Sequence, residues 1–313
     1  MSSTPYAAAT YLPLLLAGLL ACAPSNTAGG AEVPAHEEPR AVLETHVGGD
    51  AEAAPRPMIV DRVELRDLHS EINGVDYELR VSLPHGYEDA EERFPVVYIL
   101  DADYSFLIAR NITDHLAERQ HLEEVIVVGI AYGGPLRYRE NRSRDYTPLF
   151  SPAGGYGPEY QKVSGGGPAF LRVIEEEIVP FIDRHYRTRP GDRTLVGHSY
   201  GGLFSTWTML THPGLFENFV IVSPSLWYHD RFLFDLEDRY AAEHRSLPAR
   251  AYLCAGSRED EIMPDDLKAF VAQLNDHHYA DLELKSLVME GETHNSIFPG
   301  CLSNGLRYVL RGR

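Results

Sequence analysis

Positive charge is what this chain has least of. Lysine and arginine together number 28 against 46 aspartates and glutamates, a formal net charge of −18 over 313 residues. A nucleic-acid partner requires a basic face to neutralise phosphates, so that class of function is excluded and a small molecule is the expected partner. Cysteine is scarce as well, at Cys22, Cys254 and Cys301 only. Three cysteines do not make a disulfide-built scaffold, and no Cys/His spacing suggests zinc, so neither metal nor cofactor is expected. His277-His278 reads as a solvated helix end. Long apolar runs are absent save one, and no internal repeat is visible. The remaining composition, 44% hydrophobic and 24% charged, is that of an ordinary globular protein with one large domain or two small ones.

The one apolar run, Ala7 to Ala23, is about 17 residues long, marginal for a span and suited to the core of a signal peptide. It ends Leu19-Leu20-Ala21-Cys22, which resembles a bacterial lipobox, in which the cysteine is lipidated and becomes the first residue. Met1 to Thr10 carries no Lys or Arg, a departure from the usual basic start. The expectation is a signal peptide over 1–22 with lipidation at Cys22, and an exported protein, periplasmic or on the cell surface, anchored to a membrane by lipid. Residues 23–56 are rich in Ala, Gly, Pro and Glu, cannot bury enough surface to fold, and read as a flexible tether. The folded domain is expected over 57–313.

Gly197-His198-Ser199-Tyr200-Gly201, followed by Gly202, fits Gly-x-Ser-x-Gly, the turn that presents a nucleophilic serine between a strand and a helix. The turn is so tight that side chains two residues before and two after the serine are expected to collide, hence both glycines. Its context agrees. Arg193 to Val196 reads as a short buried strand, and Leu203 to Leu210 as a helix with one apolar face.

Around this elbow, strands and helices alternate. Val60 to Leu68 and Tyr77 to Leu83 alternate polar and apolar residues, as in an antiparallel hairpin, with Asn73-Gly74 at its turn. Phe94 to Leu100 and Val125 to Ile130 are continuous apolar runs, typical of central strands. Ala131 to Gly167 is too long for a simple connection and reads as a binding loop or partial lid. Phe170 to Tyr186 has helical spacing. Beyond the elbow come strands near Phe219–Val222, Arg250–Ala255 and Leu282–Met289, and helices near Arg231–Tyr240, Pro264–Leu274 and Ser296–Leu310. Cys254 falls within one of these strands and reads as a small core residue rather than half of a disulfide. The pattern implies an α/β-hydrolase fold: a mostly parallel central sheet, helices on both faces and an antiparallel N-terminal hairpin. Its site belongs at the carboxyl ends of the strands.

A serine hydroxyl needs a base, and in this architecture the order along the chain is serine, acid, histidine. Only His294 follows the last expected strand and opens a loop, so it is the candidate base. The acid is expected just after Leu253-Cys254-Ala255, with Glu259 first and Asp260 as the alternative. The oxyanion hole calls for the backbone N–H of Tyr200 and a second N–H from the loop Asp101 to Tyr104, for which Asp103 is the candidate.

These residues sit among further motifs. Leu83-Pro84-x-Gly86-Tyr87, Pro95 to Asp101, Val127 to Ile130, Arg144-Asp145-Tyr146-Thr147-Pro148, Gly197 to Gly202 and Ser223-Pro224-Ser225-Leu226-Trp227 resemble the putative esterase family. That family includes enterochelin (enterobactin) esterase-like proteins, S-formylglutathione hydrolase and the mycolyltransferases, and the siderophore-esterase-like branch fits best. The resemblance runs from about Val60 to the C-terminus. It implies a serine esterase with Ser199 as nucleophile and His294 as base, acting on a small-molecule ester. The family's acid lies in a Gly-x-x-Glu/Asp pattern, matched by Gly256 to Glu259. Ala102 stands where the family usually has glycine, so the loop carrying Asp103 is expected to differ slightly. Arg142 and Arg144 are candidates for substrate binding and Trp227 for an apolar wall of the site. An acyltransferase on the same scaffold and a non-catalytic ligand-binding surface lipoprotein are the alternatives.

Overall fold

The computed structural model describes residues 58–311, except 90, 135, 136 and 154. The expected signal peptide, Cys22 and the tether lie outside the described residues. The chain enters through an antiparallel hairpin, β1 (Val63–His69) and β2 (Asp76–Ser82). Its turn is wider than the Asn73-Gly74 pair: Ser70 exchanges backbone hydrogen bonds with Gly74 and Val75, and Gly74 takes φ 69°. Then follow β3 (Phe94–Ile99), α1 (Ala102–Glu118), β4 (Ile126–Tyr132), α2 (Tyr138–Asp145), α3 (Pro158–Gln161), α4 (Gly167–Arg172) and α5 (Val179–His185). The second half is β5 (Thr188–His198), α6 (Tyr200–Thr211), β6 (Asn218–Val222), α7 (Tyr228–Glu243), β7 (Ser246–Gly256), α8 (Ile262–Asp276), β8 (Ala280–Met289) and α9 (Phe298–Val309). The eight strands form one sheet in the order β1-β2-β4-β3-β5-β6-β7-β8. β2 runs antiparallel to both neighbours and every other pairing is parallel.

Successive side chains of a strand point to opposite faces, and each central strand is apolar on both. Tyr98, Leu195, Phe219, Ile221 and Leu253 face the helices α4 to α8, where Phe170, Phe204 and Phe270 are fully buried. Val97, Ile99, Val196, Val220 and Tyr252 face α1 and α9, against Phe106, Leu302 and Leu306. This two-sided burial is why β3 and β4 read as continuous apolar runs.

Four expectations change. Ala102 to Tyr104 is the first turn of helix α1 rather than part of a loop from Asp101 to Tyr104. Of the stretch Phe170 to Tyr186 all but the extended Tyr186 is helical, and it widens into a π-turn over Val173–Ile178, just before Pro180, which has no N–H for a regular ladder. Among its described residues the segment 131–167 holds helices α2 and α3 rather than an open loop, with Asn141, Arg142, Ser143 and Asp145 buried. Finally, Cys254 is not a plain core residue. Its strand position turns it toward α9, where Cys301 lies on the buried stripe, and the two form a disulfide with Cα atoms 6.3 Å apart.

Candidate active site

Ser199 follows the last residue of β5 and immediately precedes α6, at φ 60° and ψ −114°. Such a conformation costs a non-glycine residue about 1–3 kcal/mol and persists only where its surroundings impose it. Here β6 and the segment after it do so. The Ser199 N–H donates to the Val222 carbonyl at 2.9 Å, and the Ser199 carbonyl accepts from Ser225 at 3.2 Å and Leu203 at 2.9 Å. Of the two expected glycines only the first is needed for space. A Cβ on Gly197 would run into the Gly201 carbonyl, whereas one on Gly201 would meet only ordinary contacts at 3.5 Å. The second crowded position is Gly202, where a Cβ would stand 2.9 Å from Pro224 Cα.

Glu259 and His294 meet beside this turn. His294 Nδ1 is 2.7 Å from Glu259 Oε2, with the Glu259 side chain 1% exposed and the His294 ring 37% exposed. The other oxygen, Oε1, accepts from the Ser223 hydroxyl and the Gly256 N–H, both at 2.6 Å. Burial pushes the Glu259 carboxyl up, but the hydrogen bonds from His294, Ser223 and Gly256 outweigh it and hold the group below the usual range. The loops carrying the two residues are themselves joined, because Arg258 donates to the Glu292 carbonyl and Ser257 to the Met289 carbonyl, both at 2.9 Å. Asp260, the alternative acid, is exposed and makes no hydrogen bond with the imidazole.

Ser199 and His294 open on a cavity of about 630 Å³ walled by Tyr104, Tyr138, Tyr156 and Phe298. They also border a second one of about 200 Å³, lined by Ser225, Trp227, Asp260 and Met263. Trp227 thus stands at the site, half-buried, its ring 6.2 Å from that of Tyr200. Tyr200 and Asp103 occupy the first turns of α6 and α1, where helix geometry leaves backbone N–H groups without intrahelical partners. The Asp103 side chain points away, paired with Arg80 at 3.0 Å.

The two arginines expected to hold substrate are committed to internal carboxylates. Arg144 makes a two-pronged pair with its neighbour, the buried Asp145, at 2.7 and 2.9 Å. Arg142 borders the larger cavity, yet its side chain is only 2% exposed. It donates to Asp101 at 2.7 Å, to the His198 carbonyl at 3.1 Å and to the Tyr156 hydroxyl. Burial pushes the Asp101 carboxyl up against the pull of Arg142, and the Asp101 carboxylate keeps the Arg142 guanidinium above its ordinary value despite burial.

Several groups at the site have no signature in the sequence. Ser223, at φ 43°, binds the acid. His198 packs its ring 4.6 Å from that of His294 and sets Nδ1 2.9 Å from the Tyr104 hydroxyl. Ser223 lies inside a quoted motif, but nothing local says that it faces Glu259, which is 36 residues away. His277 corrects another expectation: it is not simply solvated, since Nδ1 lies 2.8 Å from the buried Glu237. With Asp238 these residues make a metal-capable group, but Gln273 and Tyr279 also donate to Glu237, so protein donors already use its oxygens.

Comparison with known proteins gives the family. The model of the family described as "Putative esterase" matches residues 70–295, a span that takes in Asp101, Ser199, Glu259 and His294. Ferri-bacillibactin esterase BesA of Bacillus subtilis is 28% identical over 262 residues, covering 79% of this chain and 89% of that protein. A siderophore enterobactin esterase of Emericella nidulans is 31% identical over 272 residues, covering 74% and 89% respectively. The crystal structure of the BES protein from Bacillus cereus superposes with a TM-score of 0.74 at 27% identity, over 83% of this chain and all of that one. With its elbow at the carboxyl edge of a mostly parallel sheet, and most of its length matched, the chain belongs to the Putative esterase family, with the α/β-hydrolase fold, and is a hydrolase acting on esters.

Proposed function

We propose that the chain is a serine esterase that works through an acyl-enzyme. Ser199 attacks the ester carbonyl while His294 takes its proton. Glu259 orients the imidazole and stabilises its charged form without accepting the proton. The N–H groups of Tyr200 and Asp103 receive the oxyanion, His294 passes the proton to the departing alkoxide, and a water activated by His294 then releases the acid. The observation that carries this reading is the 2.7 Å bond between His294 Nδ1 and Glu259 Oε2, beside a serine held at φ 60° on the same cavity. The 37% exposure of the His294 ring supports water as acceptor, and so hydrolysis over acyl transfer.

One relative is named a siderophore enterobactin esterase and another a ferri-bacillibactin esterase, and a cavity of about 630 Å³ with tyrosine walls suits a bulky ester bearing aromatic groups. A siderophore ester is therefore the proposed substrate class. Export belongs to the same proposal, supported by the disulfide, a bond characteristic of oxidising compartments. The test is steady-state hydrolysis of p-nitrophenyl esters and siderophore esters. Ser199→Ala is expected to lose about 10⁶-fold in kcat and Glu259→Gln about 10⁴-fold, with Asp260→Asn close to wild type. Wild-type turnover by Ser199→Ala sinks the mechanism, and a loss confined to Asp260→Asn transfers the acid role.

A further inference from the structure

An oxyanion hole built from the first turns of two helices needs both turns uncapped. At α6 the residue before the helix is Ser199, and its side chain makes no capping bond. At α1 it is Asp101, and aspartate in that place ordinarily folds its carboxylate back onto the first-turn N–H groups. Asp101 does not. It sits at φ 57° and ψ 42°, in the left-handed region rather than the extended one that capping uses, and makes no side-chain cap. Its N–H donates to the Tyr146 hydroxyl at 3.1 Å, which helps to fix that conformation.

The carboxylate goes to Arg142 instead, with Nε 2.7 Å from Oδ1 and Nη2 3.2 Å from Oδ2. Nη2 also donates to the carbonyl of His198, the residue before the nucleophile. On the other side, Oδ2 comes within 3.5 Å of where a Cβ on Gly201 would stand, in the first turn of α6. Both charged side chains are 2% exposed, so water does not compete for them. One buried ion pair thus touches the end of β5, the start of α6 and the start of α1.

We infer that the Asp101–Arg142 pair is the positioning device of the oxyanion hole. Arg142 draws the aspartate off the N-terminus of α1 and ties that turn to the elbow, so that the N–H groups of both helices stay open toward one point. The inference rests on Ser199 being the nucleophile. Without Arg142, the carboxylate is free to turn back, occupy the α1 donors and set a negative charge where negative charge develops in the transition state. Arg142 is then a positioning residue and not a substrate ligand.

The experiment compares Arg142→Met, Asp101→Asn and the double variant Asp101→Asn/Arg142→Met. Removing one partner strands a buried charge, so the double variant is the folding control. Each is measured for kcat and KM on a p-nitrophenyl ester and for inhibition by phenylboronic acid, which forms a tetrahedral adduct on the serine. Arg142→Met is expected to lose about 100-fold or more in kcat with KM nearly unchanged, and to lose boronate affinity in parallel with kcat/KM. The double variant is expected to fall between it and wild type, because no carboxylate remains to turn back. Should Arg142→Met fail to fold, a lowered kcat at constant KM in the double variant carries the same result. Wild-type kcat in Arg142→Met overturns the inference, as does wild-type kcat in the double variant when Arg142→Met does not fold, and as does a rise in KM with boronate affinity intact, which would make Arg142 a substrate ligand. Activity surviving in Ser199→Ala would instead remove the reading beneath it, a separate outcome.

Discussion

His198 stands one residue before the elbow serine, its ring packed at a tilt beside that of the proposed base, His294. Burial, then the nearby charge of His294 and of Arg142, lowers its pKa from 6.5 to about 3, so it stays neutral while the base cycles. Between those two values the unfolded chain binds a proton that the folded chain refuses. Acidification through that window therefore favours unfolding, by up to about 1.4 kcal/mol per pH unit, whereas the contribution is complete above 6.5. Glu259 acts in the same direction lower down. Its carboxyl is depressed below 4.5, so its contribution is present above that value and fades as pH falls through the folded one. Urea midpoints measured from about pH 7.5 to about pH 4.5 are expected to decline in the wild type and to decline less in His198→Gln. Parallel curves would assign the acid sensitivity elsewhere. At this scale Ser199 and His294 were legible because each has a fixed place in a strand–loop order. Glu259 could be ranked before Asp260 but not separated from it outright, the two being adjacent on one loop. The hydrogen bond between His294 Nδ1 and Glu259 Oε2 decides between them, with Ser223 and Gly256 holding Oε1. The Asp101–Arg142 pair was hidden for a different reason, since its members are 41 residues apart in the chain.

Among the elements, the parallel strands were easy to read and α1 was not. Strands buried on both faces announce themselves as unbroken apolar runs. Helix α1 buries Ala102, Ser105, Phe106, Ala109 and Thr113, a face too mixed in polarity to stand out. The disulfide joins two such elements, β7 and α9, through residues 47 apart. Closing a loop of that length restricts the unfolded chain by about 4 kcal/mol in the chain-entropy view. Cys254→Ala/Cys301→Ala is expected to lose about 2–4 kcal/mol of stability in guanidinium unfolding run without reductant. Its kcat at low temperature should stay close to wild type, since Met289–Ser257 and Glu292–Arg258 still join the two loops. Unchanged unfolding would mean that the packing of α9 alone holds this face.

Over the whole molecule, the sheet order and the family match carry the fold, and the N-terminal residues carry the proposed address. Among the described residues no helix is long and apolar enough to cross a membrane; the proposed anchor is lipid at Cys22. Cys22→Ser is expected to move the protein from the membrane fraction to the soluble exported fraction while its specific activity persists. A wild type that is already soluble after export would remove the anchor. The bridge between Cys254 and Cys301 has one further consequence. The stretch it closes contains both Glu259 and His294, so the proposed acid and base belong to a single covalent ring. A protease cutting the exposed backbone near His278, between α8 and β8, opens that ring at one point without releasing either residue. A nicked molecule therefore keeps acid and base on one connected framework for as long as the bridge stays oxidised.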